Sequence, residues 1–189
     1  MKILCAEYNS KNEFVIIPLG DNVLLRNNDD FYIPEFTKEL SCVPQLVVRI
    51  CRLGKSVGAR FADRYYEEIG VGLRLFADDF ENCLRNGNLS PVLASAYDNS
   101  AAISRLTVKM KGEGGNYELK VNGKPVFASE EKEMPVPIEE LIAEASRYYT
   151  LKIGDFLFCG SPYRYQGLQV NDRLQMSLNG VELMNFKLK

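Results

Sequence analysis

Two of the three Asn-Gly pairs in this chain constrain its fold more than any other local feature. Asn122-Gly123 separates Tyr117–Val121 from Lys124–Ala128, and Asn179-Gly180 lies between two further short segments near the C-terminus. An Asn-Gly pair readily adopts the positive φ values of a type I′ turn, which joins two antiparallel strands. Both pairs therefore predict β-hairpins, and they favour a domain that is rich in sheet.

The remaining segments show a mixture of strand and helix patterns. Pro137 opens the clearest helix, because apolar residues from Ile138 to Tyr149 recur at helical spacing and two glutamates lie near the positive end of the helix dipole. The other predicted elements are strands over Gln45–Leu53, Val71–Phe76, Ile103–Lys111 and Phe156–Cys159, helices over Ala59–Glu68 and Asp78–Arg85, and a solvated loop over Ser129–Pro137. Strands outnumber helices and no repeat or linker divides the chain, so we expect an α+β, mainly β fold with one domain over residues 1–189.

Composition argues against several classes of protein. The 189 residues are 46% hydrophobic, which is enough to fill one core. Acidic and basic residues are interspersed and the net charge is −2, so nothing predicts a nucleic-acid partner. No apolar run approaches the roughly 20 residues that a membrane crossing requires, and Glu7 interrupts the start too early for a secretory signal. Five cysteines without a CxxC pair suit reduced thiols, and we therefore expect a cytoplasmic protein.

Several motifs occur together in an order and at spacings that are more specific than any one of them. They are SCVPQLVVRI at 41–50, the run 54–72, IGVGLRLFADD at 69–79, AYDNSA at 96–101, LKIGDFLFCGSP at 151–162 and VNDRL at 170–174. From Ile33 to the C-terminus this set resembles the fumarylacetoacetate hydrolase family, and 54–72 with 96–101 resembles its short bacterial branch. The resemblance implies an irregular β-roll with flanking short helices, and it implies a homodimer.

The resemblance also implies a divalent metal, which the family holds with a Glu-x-Glu pair on one strand and an Asp on a later strand. When the family's motifs are aligned with this sequence, the Glu-x-Glu pair falls on Val43 and Gln45, and the Asp falls on Arg74. Two neutral side chains and a cation cannot replace three anionic oxygen ligands of a hard Mg²⁺ or Mn²⁺ ion. The sequence therefore predicts a degenerate metal site and no metal cofactor.

Two further departures affect the catalytic groups that the resemblance implies. Ser95 stands where the family carries a lysine, three residues before Asp98. The N-terminal segment that supplies a catalytic histidine in the family matches this chain only at Asn9, and the chain contains no histidine. Metal, lysine and histidine are thus all predicted to be missing.

The charged residues near these positions leave alternatives open. Arg74 is expected to neutralise acids such as Asp79 or Asp98, to accept a carboxylate ligand, or to form a salt bridge that only fills the vacated space. Asp78, Asp79 and Asp98 suit a displaced carboxylate site, but an Asp-Asp pair more often opens a helix.

The loop after residue 159 adds candidates of its own. Ser161 lacks a histidine or lysine that would activate it as a nucleophile, which favours a hydroxyl that stabilises the loop. The cluster Tyr163-Arg164-Tyr165-Gln166 is expected either to stack on a ligand or to fill the vacated pocket. The candidate ligand pocket therefore comprises Arg74, Asp79, Ser95, Asp98, Ser161, Tyr163 and Arg164.

Two functions of different classes follow. The first is a family member that has lost metal-dependent catalysis and acts as a binding or interaction protein, with a small carboxylate as its ligand. The alternative is an active hydrolase, decarboxylase or isomerase of 2-oxo or 1,3-dicarbonyl acids. In the family the metal holds the substrate oxygens and stabilises an enolate, and an active enzyme without the metal must replace that electrostatic work.

Overall fold

The fold is described from a computed structural model, which covers residues 1–26, 28–108, 115–129 and 135–189. The strands are β1 Ile3–Tyr8, β2 Phe14–Leu19, β3 Leu24–Leu25, β4 Leu40–Ile50, β5 Tyr66–Ala77, β6 Ala101–Ile103, β7 Thr107–Val108, β8 Tyr117–Val121, β9 Lys124–Ala128, β10 Phe156–Phe158, β11 Tyr165–Leu168, β12 Arg173–Leu178 and β13 Val181–Lys187. The helices are α1 Asp78–Asn86 and α2 Ile138–Tyr148, with 3₁₀ turns at Asp21–Val23, Ala59–Tyr65 and Pro91–Ser95. The predicted fold class, α+β and mainly β, is confirmed.

The larger sheet is built around the antiparallel pair β4 and β5. Its order is β2-β1-β10-β4-β5-β6-β3, with β11 also paired to β4 and β7 to β5. The β4–β5 ladder runs from Leu40 opposite Ala77 to Ile50 opposite Tyr66. Most of β4 is buried, which suits its β-branched run and places it in the interior of the domain.

The two predicted hairpins form the smaller sheet, which has the order β13-β12-β8-β9. Asn122 and Gly123 have φ values of 53° and 76°, and Asn179 and Gly180 have values of 49° and 79°. These are the left-handed conformations that a type I′ turn requires. Both hairpins predicted from the sequence are confirmed.

Helix α2 packs across the 3₁₀ turn at Ala59–Tyr65 and against β2. It begins directly after Pro137, as predicted, and Leu141, Ile142 and Ala145 on its apolar face are fully buried. Neither α-helix in the described ranges has the length and apolar character that a membrane crossing requires.

Other local predictions need correction. The helix predicted over Ala59–Glu68 is a 3₁₀ turn that ends at Tyr65, because the next residues pair with β4 as the start of β5. The strand predicted over Gln45–Leu53 begins earlier, at Leu40, and ends at Ile50. The alternating segment Ile103–Lys111 is divided between β6 and β7, and its last three residues, like 130–134 of the loop predicted over Ser129–Pro137, lie outside the described residues.

One edge of β4 is divided between two partners. On this edge β11 pairs with Leu40 to Cys42 and β10 with Val47 to Arg49, which leaves Val43–Leu46 without a strand partner there in the described part of the chain. Cys159 N donates to Leu46 O across this edge at 2.9 Å, and Pro44 faces the same way because it lies two residues earlier. Proline has no N–H, so it is tolerated where no ladder bond is required. The gap opens the sheet beside Pro44.

The buried carboxylate of Asp155 connects the start of β10 to the start of β1. It accepts hydrogen bonds from Lys2 N at 2.8 Å, Lys2 Nζ at 2.6 Å and Lys152 N at 2.8 Å. Burial works to raise the pKa of Asp155, but these hydrogen bonds outweigh it and hold the pKa below its ordinary value of 3.8. A depressed carboxyl pKa stabilises the fold above the unfolded-state pKa, and this stabilisation is lost as the pH falls through the folded-state pKa.

We expect Asp155→Asn to lower the free energy of unfolding at neutral pH by about 1.5–3 kcal/mol, because charged hydrogen bonds are lost from a buried site. Urea denaturation at neutral pH and below the ordinary carboxyl pKa measures this effect, and the difference from wild type should shrink at the lower pH. Asp63→Asn, at an exposed carboxylate, is the matched control. A difference that stays constant with pH would contradict the assignment.

Candidate functional site

The three positions predicted to have held a metal lie on one face of the larger sheet. Val43 in β4 is directly opposite Arg74 in β5, and Gln45 follows Val43 by two residues, so its side chain points to the same face. All three line a cavity of about 190 Å³ beside the gap in β4. The structure therefore brings together the three residues that the resemblance placed at the family's metal site.

Three other parts of the chain complete the cavity. The end of β1, the segment from β5 into α1, and the loop after β10 each contribute to its wall. The remaining lining residues are Ala6, Glu7, Tyr8, Phe76, Glu81, Arg85, Ser161, Pro162 and Arg164.

Arg74 is a buried cation with partners on three sides, and only 1% of its surface is exposed. Its Nη1 donates to Glu7 Oε1 at 2.7 Å, and its Nη2 donates to Ser95 O at 3.2 Å and to Ser95 Oγ at 2.5 Å. The guanidinium lies 4.9 Å from the ring centroid of Phe76. Burial works to lower the pKa of Arg74, but the neighbouring Cys5 and Glu7 outweigh it and raise the pKa. The side chain is therefore charged at physiological pH.

The acid that pairs with Arg74 is Glu7, so the expectation that Arg74 neutralises Asp79 or Asp98 is wrong. Asp79 accepts hydrogen bonds from Thr37 Oγ1 at 2.5 Å and Lys38 N at 2.9 Å, and it also accepts one from Phe80 N in the first turn of α1. Asp98 is exposed and accepts a hydrogen bond from Asn22 Nδ2 at 2.7 Å. Neither aspartate lines the cavity.

A second arginine reaches the cavity from the loop after β10. Arg164 donates from Nε to Ser41 Oγ at 2.6 Å and from Nη2 to Glu81 Oε2 at 2.8 Å, and it also forms an ion pair with Asp78. Its guanidinium lies 4.3 Å from the ring centroid of Phe76, so this ring contacts both arginines. The predicted membership of Arg164 in the pocket agrees with this placement.

Glu81 is shared between Arg164 and Arg85. Arg85 Nη2 donates to Glu81 Oε1 at 2.7 Å, within the same helix. Partial burial works to raise the pKa of Glu81, but the hydrogen bonds from Arg85 and Arg164 outweigh it and lower the pKa. Glu81 is therefore ionised at neutral pH.

Gln45 and Gly160 fix the loop that closes the cavity. The buried Gln45 Oε1 accepts a hydrogen bond from Gly160 N at 2.6 Å. Gly160 has a φ of 74°, and a Cβ added there would lie 2.5 Å from Ala6 O. Only glycine fits this conformation and this approach to β1.

The other loop candidates have structural roles. Ser161 Oγ accepts a hydrogen bond from Tyr163 N at 3.1 Å, as expected for a hydroxyl that stabilises the loop. The Tyr163 ring stacks on Phe127 with a centroid distance of 4.6 Å, and its hydroxyl donates to Val126 O. Tyr163 thus packs on β9 instead of lining the cavity, and Ser95 contributes only through its contacts with Arg74.

The sequence reasoning missed Glu7 and Glu81 as members of the site. Glu7 lies in the N-terminal segment that matches the family only at Asn9, so the resemblance gives it no role. Glu81 follows the Asp-Asp pair by two residues, and helical spacing from Asp78 would have placed it on the same side of α1. No local pattern relates either glutamate to Arg74 or Arg164.

The donor groups in this cavity do not fit a divalent metal. The three ligand positions present an aliphatic side chain, a buried amide that is engaged by Gly160, and a guanidinium. Across the described ranges, no group of three or more histidine, cysteine, aspartate or glutamate side chains is arranged to hold a metal ion.

The fold and the cavity together define a mainly β domain with a charged pocket beside its two central strands. This chain belongs to the fumarylacetoacetate hydrolase family, because the model of the fumarylacetoacetate hydrolase C-terminal domain matches residues 8–187. A mitochondrial oxaloacetate tautomerase of Bos taurus is 27% identical over 160 residues, which are 83% of this chain and 72% of that protein. An oxaloacetate tautomerase of Escherichia coli K12 is 30% identical over 118 residues, which are 60% of this chain and 54% of that protein.

Solved structures agree with the fold. The chain superposes on a fumarylpyruvate hydrolase from Pseudomonas aeruginosa, solved with Mn²⁺ and pyruvate, with a TM-score of 0.85, 16% identity and coverage of 100% of this chain and 89% of that one. It superposes on a 5-carboxymethyl-2-hydroxymuconate delta-isomerase from Mycobacterium smegmatis with a TM-score of 0.85, 17% identity and coverage of 99% and 78%. The predicted family is confirmed, while the short bacterial branch stays a prediction.

We expect Val43→Glu, Gln45→Glu and Arg74→Asp together to create affinity for Mg²⁺ or Mn²⁺. The three carboxylates would lie on one sheet face, whereas a single carboxylate seldom outcompetes water for Mg²⁺. The triple variant should be less stable than wild type without metal, and added metal should raise its melting temperature in a concentration-dependent way.

Thermal melts over a metal titration measure this, with Arg74→Asp alone as the control that should not respond. If a folded triple variant is indifferent to millimolar metal, the assignment of these three positions as former ligands is wrong.

Proposed function

We propose that this family member binds a small carboxylate in the cavity without a divalent metal and does not perform metal-dependent catalysis. The observation that carries the proposal is the guanidinium of Arg74, which is buried and held by Glu7 and Ser95 at the position expected for a metal ligand. A fixed positive charge takes over the electrostatic place of the ion without offering an open coordination site.

The carboxylate-binding groups are the two less buried arginines. The side chains of Arg164 and Arg85 are 29% and 59% exposed, whereas that of Arg74 is 2% exposed. Arg164 uses Nε and Nη2 for its protein contacts, which leaves Nη1 without a hydrogen-bond partner in the described part of the chain. Guanidinium groups bind carboxylates with paired, charge-assisted hydrogen bonds. Arg74 supports this binding through the electrostatic attraction between its positive charge and the carboxylate.

A second candidate is an enzyme that acts on 2-oxo or 1,3-dicarbonyl acids as a tautomerase, isomerase, decarboxylase or hydrolase. The relatives favour this candidate over a protein without activity, because the curated relatives described above are named oxaloacetate tautomerases. Tautomerisation needs a base at carbon and stabilisation of an enolate. Glu7 Oε2 has no hydrogen-bond partner within the described ranges and would serve as the base, with the arginines as the stabilising charges.

Three further expectations stay predictions: a homodimer, a role in pairing with another protein, and a location in the cytoplasm. The relative from Bos taurus is named as mitochondrial, so it lends no support to a cytoplasmic location. The sheet edge at β2 and the exposed Tyr148 are available for subunit contacts, but the carboxylate pocket does not depend on them.

We expect oxaloacetate tautomerisation, oxaloacetate decarboxylation and acylpyruvate hydrolysis to stay at the rates of buffer with metal. Ultraviolet absorbance of the enol, followed at several protein concentrations with and without EDTA, measures this. The physical reason is that the cavity lacks the metal ligands, the lysine and the histidine that the family's catalysis uses.

Turnover that scales with protein and disappears with EDTA would contradict the proposal. Turnover that survives EDTA would establish the second candidate, provided that Glu7→Gln lowers the rate by about ten-fold or more. This threshold lies below the smallest contribution that a general base usually makes to a rate. Glu67→Gln, at an exposed glutamate outside the cavity, is the matched control and should leave the rate unchanged.

A further inference from the structure

We infer that the ligand of this cavity is a small zwitterion that carries an ammonium group as well as a carboxylate, as an α-amino acid does. This inference rests on the proposed function, since it names the class of carboxylate that the same pocket selects. It follows from the balance of charges in the cavity, from one carboxylate oxygen that has no partner among the described residues, and from the size of the space.

The charges around the cavity are balanced. Arg74, Arg85 and Arg164 contribute three positive charges, while Glu7 and Glu81 in the wall and Asp78 bonded to Arg164 contribute three negative ones. A dianion gains little from a site whose net charge is zero. A zwitterion has no net charge either, and it gains from charges of both signs if they are accessible.

Accessible charges of both signs are present. The side chain of Glu7 is 35% exposed and uses only Oε1, for Arg74, so Oε2 has no hydrogen-bond partner in the described part of the chain. Arg164 and Arg85 are also partly exposed, and each keeps N–H groups that have no hydrogen-bond partner among the described residues. An ammonium on Glu7 Oε2 and a carboxylate on the two arginines would satisfy both kinds of group.

A 2-oxo acid fits these groups less well. Its oxo oxygen has only lone pairs, and beside Glu7 Oε2 it would place one acceptor against another. An amino group at the same carbon instead presents three N–H donors. Replacing a metal by the Arg74–Glu7 pair therefore changes the preferred substituent from oxo to ammonium, because the accessible partner is now an anion instead of a cation.

The cavity also limits the size of the ligand. Its volume of about 190 Å³ lies below the roughly 300–1,000 Å³ of sites for drug-sized ligands. The neutral residues in its wall are already engaged, because Tyr8 Oη donates to Cys159 O and Gln45 holds Gly160. Recognition thus depends on the charged groups, and a short amino acid has a size that suits this cavity.

Calorimetric titration of the wild-type protein with two matched series tests the inference. The series are alanine, lactate and propionate, and aspartate, malate and succinate, with ethylamine as the amine that lacks a carboxylate. We expect at least one amino acid to bind about ten-fold or more tightly than its hydroxy and deamino partners, the effect of one added charged hydrogen bond.

The outcomes separate the two claims. If the hydroxy or deamino acids bind as tightly as the amino acids, the zwitterion inference is overturned and the carboxylate-binding function stands. If no carboxylate binds, or if ethylamine binds as well as the amino acids, the proposed function fails together with the inference.

Two variants and one control variant add an independent readout. In Glu7→Gln the preference for the amino acid should fall to about two-fold or less, because a neutral amide does not attract the ammonium group. Arg164→Gln should weaken all carboxylates alike and leave the ratio unchanged, while Glu67→Gln should alter neither affinity nor ratio. Circular dichroism establishes that each variant is folded, and an unchanged ratio in folded Glu7→Gln would overturn the inference.

Discussion

The ion pair between Arg74 and Glu7 is the interaction on which the site depends. A buried guanidinium is costly unless its charge is paired and its donors are hydrogen-bonded. In Arg74 both Nη atoms are hydrogen-bonded, and Nε is the guanidinium nitrogen without a partner in the described part of the chain. Glu7 from β1 supplies the charge and Ser95 supplies two acceptors, so residues from two other parts of the chain converge on one cation. Removal of Glu7 alone would leave the buried charge of Arg74 uncompensated. Exchange of both Arg74 and Glu7 for apolar residues would instead remove both charges, and no unpaired charge would remain.

The fold supplies the cavity and this pair decides its chemistry. The divided edge of β4, with Pro44 in the gap and Gln45 holding Gly160, opens a pocket beside the two central strands. The overall fold of the chain is shared with solved structures of other proteins. The relatives' names indicate enzymes of oxo acids, but the groups that face the pocket here are arginines and glutamates. Family membership therefore explains the fold better than it explains what the pocket binds.

The sequence predicted those features whose physics is local. Both Asn-Gly hairpins and the helix after Pro137 follow from turn conformation and from apolar spacing within a few residues. The resemblance placed Val43, Gln45 and Arg74 at one site, and the ladder register of β4 and β5 agrees. Glu7 and Glu81 were not assigned to the site, because Arg74 and Arg164, their partners there, lie 67 and 83 residues away. Helical spacing connects Glu81 only to residues of its own helix, such as Arg85. The helix predicted at Ala59–Glu68 failed for a related reason, since pairing with β4 overrides a local preference.

The central claim is that a protein cation has taken the place of a metal ion. Electron paramagnetic resonance of Mn²⁺ tests it most directly, because the six-line spectrum of the hydrated ion is lost when the ion binds to protein. Titration of wild-type protein with Mn²⁺ should leave the free-ion signal equal to that in buffer at every ratio. Loss of signal that saturates at one ion per chain would contradict the account.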